Sequence, residues 1–330
     1  MSIREKSPTK IILIGEHSVV YGKPALVCAI NMYCYCEVKL FNGEMIIVED
    51  KENNYRGEYN IKEILKLGDN FKYNNKRDKL FKISLNVVLK YLKIKDVQPI
   101  AIAIEKEARL GGCGVSTSVI VSMAKALSKY FKKELSKEDL FKIAMIVETK
   151  FHGYKSSGLD QIAIIYGGLI KYQKKKEGYD YESLNINSDI LENILIINSG
   201  NPEVLTGEVV EFVKNNIKND PARAGKIFNN LENLTYALVD ALEKDNKEEF
   251  YKIIDEAGEE LIDLGIVTPK TQKLINDLNN LGGHAKISGA GAHKGEGSGA
   301  LICFSDNKGK IEEYLRSRKI DFYRVNIIEK

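Results

Sequence analysis

The chain lacks three things: a charge excess, a long apolar run, and cysteines at metal-binding spacing. Its 49 lysines and arginines are nearly balanced by 46 aspartates and glutamates, a net charge of +3 over 330 residues. Such a balance gives no electrostatic footprint for nucleic acid or a membrane surface. The triplet Lys174–Lys176 is short and reads as a solvated loop. No apolar stretch approaches the ~20 residues that span a bilayer. Met1 to Lys6 is short and charged and does not read as a secretory leader. Five cysteines (Cys28, Cys34, Cys36, Cys113 and Cys303) lie among apolar residues. Cys34 and Cys36 would share one strand face, and such neighbours rarely meet disulfide geometry. Reduced thiols and a cytoplasmic location are therefore expected. No internal repeat or low-complexity tract is visible.

What is present is a chain with 44% hydrophobic residues, long enough for about two domains. Its most informative stretch is Ser7–Gly22. The run Ile11–Ile14 reads as a buried strand with Lys10 at its start, delivering Gly15, Glu16 and His17 at its end. A carboxylate and an imidazole beside a core meet either a ligand or each other. A polar site at the edge of an N-terminal sheet is expected.

Strands are expected at Lys10–Ile14, Ala25–Ile30, Cys34–Leu40, Met45–Val48 and Ile100–Ile104, with Asn53–Asn75 mostly loop. Helical spacing runs from Leu80 to Leu92 and from Ser116 to Tyr130. Ser136 with Asp139 predicts a capping box opening a helix that ends near Lys150. A strand at Leu169–Tyr172 precedes a lysine-rich linker near Lys174–Tyr181, a candidate boundary region. The second half has strand Ile194–Ile197, then helices at Glu203–Asn216, Arg223–Glu243, Asn246–Leu264 and Thr268–Leu281. Strands Ala285–Ser288 and Ala300–Phe304, helix Lys310–Arg316 and strand Asp321–Ile327 close the chain. Helices grouped between strand pairs make this α+β rather than a doubly wound sheet.

The turn Gly111-Gly112-Cys113-Gly114 precedes the helix that carries Ser116 and Thr117. Glycines let backbone N–H groups approach an anion. The following helix start adds unpaired N–H groups and a positive dipole end, which together suit a phosphate. The pattern is neither a Walker loop nor a Gly-x-Gly-x-x-Gly fingerprint. Taken alone, it is also compatible with a purely structural turn.

The first segment resembles the mevalonate kinases within the GHMP kinase superfamily. The resemblance rests on Pro8, Lys10, Gly15-Glu16-His17, Val19-Val20-Tyr21-Gly22 and Pro24-Ala25. Galactokinases share Gly-Glu-His but usually continue differently. The second GHMP motif, usually Gly-Leu-Gly-Ser-Ser-Ala, is met by Gly112, Cys113, Gly114, Val115, Ser116 and Thr117, with the first serine replaced by Val115. The third is resembled by Lys286-Ile-Ser-Gly289-Ala-Gly291, and Leu264–Pro269 resembles a further family segment. The resemblance thus covers essentially the whole chain.

It implies a two-domain α+β GHMP kinase fold. Residues 1–185 would form a ribosomal-protein-like N-terminal domain and residues 186–330 a ferredoxin-like C-terminal domain. It implies ATP and Mg2+ as cofactors and mevalonate, or a phosphorylated mevalonate, as small-molecule substrate in isoprenoid biosynthesis. Nucleic acid and membrane are not expected as partners, and a homodimer is left open. Asp160, in Ser157-Gly158-Leu159-Asp160, would take the proton of the substrate hydroxyl, with Lys10 as its partner. Glu16, His17 and Thr206 would contact substrate. Gly111, Gly112, Gly114, Ser116, Thr117, Gly289 and Gly291 would hold ATP. Ser116 and Glu148, the latter in Glu148-Thr-Lys-Phe-His152-Gly153, would hold the metal.

Two alternatives accompany this reading. One is a sister kinase taking a phosphorylated mevalonate, either mevalonate 3-phosphate 5-kinase or phosphomevalonate kinase. The other is a non-catalytic GHMP-fold ligand sensor. The insertion Ala292–Glu296 departs from the family and reads either as a surface loop extension or as extra anion-binding groups, His293 and Lys294.

Overall fold

The computed structural model describes residues 2–107, 110–153, 156–186 and 188–328. The N-terminal apolar run is the end of a long strand, β1 (Ser2–Ile14), buried continuously from Ser7 onward. Lys10 is thus an interior strand residue and not its start. A 3-10 turn at Ser18–Tyr21 leads to β2 (Pro24–Leu40), which pairs with β1. The two strands expected at Ala25–Ile30 and Cys34–Leu40 are one, because the exposed Asn31 breaks the apolar pattern but not the backbone pairing.

The stretch expected as loop after Asn53 is instead partly ordered. β3 (Met45–Asp50) forms an antiparallel pair with β4 (Tyr55–Asn60), and α1 (Ile61–Leu65) follows. β4 escapes an apolar count because its buried positions are Gly57 and Tyr59. Asn60 starts α1 by accepting from the backbone N–H groups of Lys62 and Glu63. Next come α2 (Lys76–Tyr91), β5 (Ile100–Lys106), α3 (Val115–Tyr130) and α4 (Lys137–His152). The expected capping box of Ser136 and Asp139 opens α4. α5 (Leu159–Tyr166) precedes β6 (Leu169–Lys174) and β7 (Tyr179–Leu184). The lysine-rich stretch expected as a linker is the tip of the β6–β7 hairpin, in register from Leu169 with Leu184 to Lys174 with Tyr179.

The remainder follows the expected order: β8 (Ile194–Asn198), α6 (Thr206–Asn219), α7 (Pro221–Glu243), α8 (Lys247–Asp263) and α9 (Pro269–Asn279). β9 (Gly283–Ile287), β10 (Ala300–Ser305), α10 (Lys308–Ser317) and β11 (Phe322–Val325) complete it. The result is the mixed α+β class expected.

Contacts divide the chain into two compact units. The first is Met1–Thr9, Met32–Arg109 and Val115–Tyr166. Its strands run in the order β4-β3-β5-β2, with β3 and β5 parallel and β2 antiparallel to β5. Helices α2 to α5 pack on one another, and Phe81, Leu85, Met123, Leu127, Ile143 and Val147 are buried.

The second unit is Lys10–Asn31, Leu110–Gly114 and Gly167–Lys330. Here the N-terminal part of β2 pairs with β6. An antiparallel sheet of order β11-β8-β10-β9 is backed by α8 and α9 against β9. Ile194–Ile197 are fully buried, and Phe250 meets Phe304 edge to face at 4.8 Å. All five cysteines are buried. Among the described residues no helix is long and apolar enough to cross a membrane.

Candidate active site

In the second unit, residues from all three motifs meet. Lys10 is 2% exposed; its backbone N–H donates to Cys113 O at 3.0 Å and its Nζ to Gly112 O at 2.7 Å. Gly112 has φ +97°, and a Cβ there would stand 2.0 Å from Ser288 O. A Cβ on Gly289 (φ +106°) would come within 2.5 Å of Gly112 Cα. The two glycine loops therefore lie backbone against backbone, which only glycine permits. The Ser288 hydroxyl accepts from Ile12 N at 2.9 Å, and Ser288 N donates to Ala300 O at 2.8 Å. The glycines expected to approach phosphate thus also carry a packing task.

Glu16 is completed by a residue that sequence reasoning did not assign. Its carboxylate forms an ion pair with Lys286, and both side chains have no exposed surface. Lys286 Nζ also donates to Ile287 O at 2.8 Å. Burial pushes the Glu16 carboxyl up and the Lys286 ammonium down, each opposed by the other's charge. The available signal was a lysine inside the apolar strand Ala285–Ile287, a position that demands an anionic partner. Glu16 Oε2 has no hydrogen-bond partner among the described residues.

His17 sits at the centre of a γ-turn. Its backbone is at φ 58°, ψ −46°, and Ser18 N donates to Glu16 O at 2.6 Å. This turn is rare and strained in L-residues, at a cost of about 1–3 kcal/mol. The ring faces Ala290 O, 2.9 Å from Nε2. A carbonyl only accepts, so Nε2 carries the proton and Nδ1 is left as an acceptor. Burial lowers the imidazole pKa, so the ring is neutral at pH 7. Glu16 and His17 therefore do not bond to each other; each is fixed by the third motif. Thr206 is exposed in the first turn of α6.

In the first unit, Thr117 Oγ1 donates to Glu148 Oε1 at 2.9 Å. Glu148 Oε2 lies 2.8 Å from Nε2 of His152, one turn along α4. Ser116 is half-buried at the start of α3, and Asp160 is half-buried in the first turn of α5. Among the described residues, no three His, Cys, Asp or Glu side chains gather as a metal cluster. The available donors are hard oxygens, one carboxylate and one hydroxyl. That set fits Mg2+, which commonly keeps waters and phosphate oxygens beside one or two carboxylates. Lys10 belongs to the second unit and Asp160 to the first.

The insertion after Gly291 is anchored. His293 stacks on Phe212 at 4.4 Å, Glu296 pairs with Lys270 at 2.9 Å, and Thr268 Oγ1 donates to Glu296 O at 3.0 Å. Lys294 is exposed.

The chain is similar to known proteins in sequence and in fold. Residues 79–168 match the family model of the GHMP kinases N terminal domain. The chain is 29% identical to the mevalonate kinase of Pyrococcus furiosus over 323 residues, covering 93% of this chain and 90% of that one. It is 29% identical to the mevalonate kinase of Methanocaldococcus jannaschii over 331 residues, 97% of each. The crystal structure of the Methanococcus jannaschii mevalonate kinase matches with a TM-score of 0.83 at 26% identity, covering 100% of this chain and 99% of that one. A Streptococcus pneumoniae phosphomevalonate kinase, in complex with phosphomevalonate and AMPPNP, matches with a TM-score of 0.74. At 19% identity over 98% of this chain and 99% of that one, that likeness is one of fold alone.

Fold and sequence together indicate an ATP-dependent kinase similar to the GHMP class. Within that class the chain resembles the mevalonate kinases over nearly its whole length.

Proposed function

We propose that this kinase transfers the γ-phosphoryl group of ATP to the 5-hydroxyl of mevalonate, in the cytoplasm, for isoprenoid biosynthesis. The observation that best supports this is the meeting of three motifs around Lys10. An ammonium buried to 2% exposure is held on Gly112 O, beside the two glycine loops. Phosphoryl transfer asks the protein for positioning and charge neutralisation around a loose transition state, and little covalent chemistry.

In the proposed assignment, backbone N–H groups of Gly111–Thr117 and Gly289–Gly291 bind the phosphates. Asp160 orients the substrate hydroxyl and takes its proton. Lys10 keeps Asp160 ionised and stabilises charge developing on the γ-phosphate. Ser116 and Glu148 would hold Mg2+, which when bound neutralises charge on the phosphate oxygens. The unpartnered Glu16 Oε2 and the His17 Nδ1 are acceptors suited to substrate hydroxyls, and Thr206 supplies a further hydroxyl. The proposed domain boundary near residue 185 falls between β7, which ends at Leu184, and β8, which begins at Ile194.

ATP consumption should be measured with mevalonate, its 3- and 5-phosphates, homoserine and galactose. Turnover with mevalonate is expected, with Asp160→Asn lowering kcat by about 10²–10⁴. Preference for a mevalonate phosphate, lost in Lys294→Ala, would move the assignment to the sister kinase. Activity on galactose alone would overturn it, and no turnover with any alcohol would favour the ligand sensor.

A further inference from the structure

Against the family pattern Gly-Leu-Gly-Ser-Ser-Ala, this chain makes two hydroxyl changes in one turn. The first serine is Val115 and the closing alanine is Thr117. One hydroxyl is lost and another appears two residues later. Thr117 is 2% exposed and its hydroxyl points inward, onto Glu148 Oε1 at 2.9 Å. Ser116, about 100° away around the helix, is only half-buried. From the other side, His152 Nε2 meets Glu148 Oε2 at 2.8 Å. Glu148 itself is 6% exposed.

We propose that Thr117 and His152 are positioning residues that grip both oxygens of Glu148 and thereby set how tightly the site binds the divalent cation of the nucleotide. The proposal rests on the reading of Glu148 as the metal carboxylate. A carboxylate has about four lone-pair sites. Two are occupied by these donors, one on each oxygen, and two remain. A glutamate held in this way presents a fixed lone pair to a cation that demands near-octahedral geometry. It loses little conformational freedom on binding, since the rotamer is already set by donors on two helices, α3 and α4. Partners of this kind orient a ligand and are costly to remove. An alanine at position 117 has no hydroxyl to offer, so this half of the grip belongs to this chain's own sequence. Thr117 then serves the nucleotide through its backbone N–H, while its side chain serves Glu148.

The test uses Mn2+ as a paramagnetic probe, its free fraction read by electron paramagnetic resonance with the full chain and ATP. Thr117→Val keeps shape and removes the hydroxyl; His152→Leu removes the donor. Each is expected to weaken Mn2+ binding roughly tenfold. Thr117→Ser and His152→Gln restore donors and should stay within about threefold of the parent. In a Glu148→Gln background, Thr117→Val should have no further effect. Thermal unfolding of every variant separates lost metal affinity from lost structure. Weak binding in Glu148→Gln with parental binding in both donor deletions would overturn the proposal and leave the ligand reading standing. Parental Mn2+ binding in Glu148→Gln would remove the ligand reading, and the proposal with it.

Discussion

Glu16 and Glu148 are both buried carboxylates, and the chain satisfies them in opposite ways. Glu16, in the second unit, is held by a buried ammonium, Lys286, with neither side chain exposed. Glu148, in the first unit, is held by a threonine hydroxyl and an imidazole, close enough to the surface that His152 remains about one quarter exposed. A buried ion pair is unforgiving, because removing one partner strands the other's charge in a medium that cannot solvate it. Hydrogen-bonding donors around a carboxylate can be changed one at a time. The difference separates a region where substitution threatens the fold from one where it alters how a single carboxylate is held.

The sharpest way to break this contrast is Lys286→Met. It should cost about 3–5 kcal/mol in urea unfolding, with Glu16→Gln in the same chain recovering a large part. No recovery would mean that the pair is not what Lys286 contributes.

Next comes the loop contact beside that pair. Gly112→Ala should destabilise by about 2–4 kcal/mol, since its Cβ would meet Ser288 O at 2.0 Å. Gly111→Ala, whose nearest neighbour would be Pro202 Cδ at 3.5 Å, should stay within about 0.5 kcal/mol. Equal effects in the two variants would mean that the loops are not packed through Gly112.

The smallest effect concerns pH. Burial lowers the His17 pKa below its unfolded value of 6.5. The unfolded chain therefore binds the proton first. The stability His17 contributes is present above pH 6.5 and is lost as pH falls towards its folded pKa. His17→Asn should flatten the fall in unfolding free energy between pH 7.5 and 5; an unchanged slope would assign that fall to other groups.

Much of this arrangement was legible locally. The box of Ser136 and Asp139, the helix after Gly114 and the apolar strand leading to Glu16 each announce themselves within a few residues. What stayed hidden depends on partners elsewhere in the chain. Lys286 reads as an odd cation in a strand until Glu16, 270 residues earlier, is placed beside it. The Thr117 hydroxyl could have faced phosphate, and only the packing of α4 on α3 sends it to Glu148. β4 carries its inward positions on Gly57 and Tyr59, too little apolar surface for a periodicity count. The lysine-rich hairpin tip looked like a linker because its order comes from the register of β6 with β7, which composition does not record.

The bonds that fix the end of β1 span nearly the whole chain: Ile12 to Ser288, Glu16 to Lys286 and His17 to Ala290. During synthesis at about 5–20 residues per second, the N-terminal strand waits roughly 15–55 s for these partners. Over that interval a nascent Glu16 must stay hydrated and the apolar run beside it must be kept from other chains. Synthesis of the stretch from Lys286 to Ala290 thus decides when the segment from Ile12 to His17 can take up its final form.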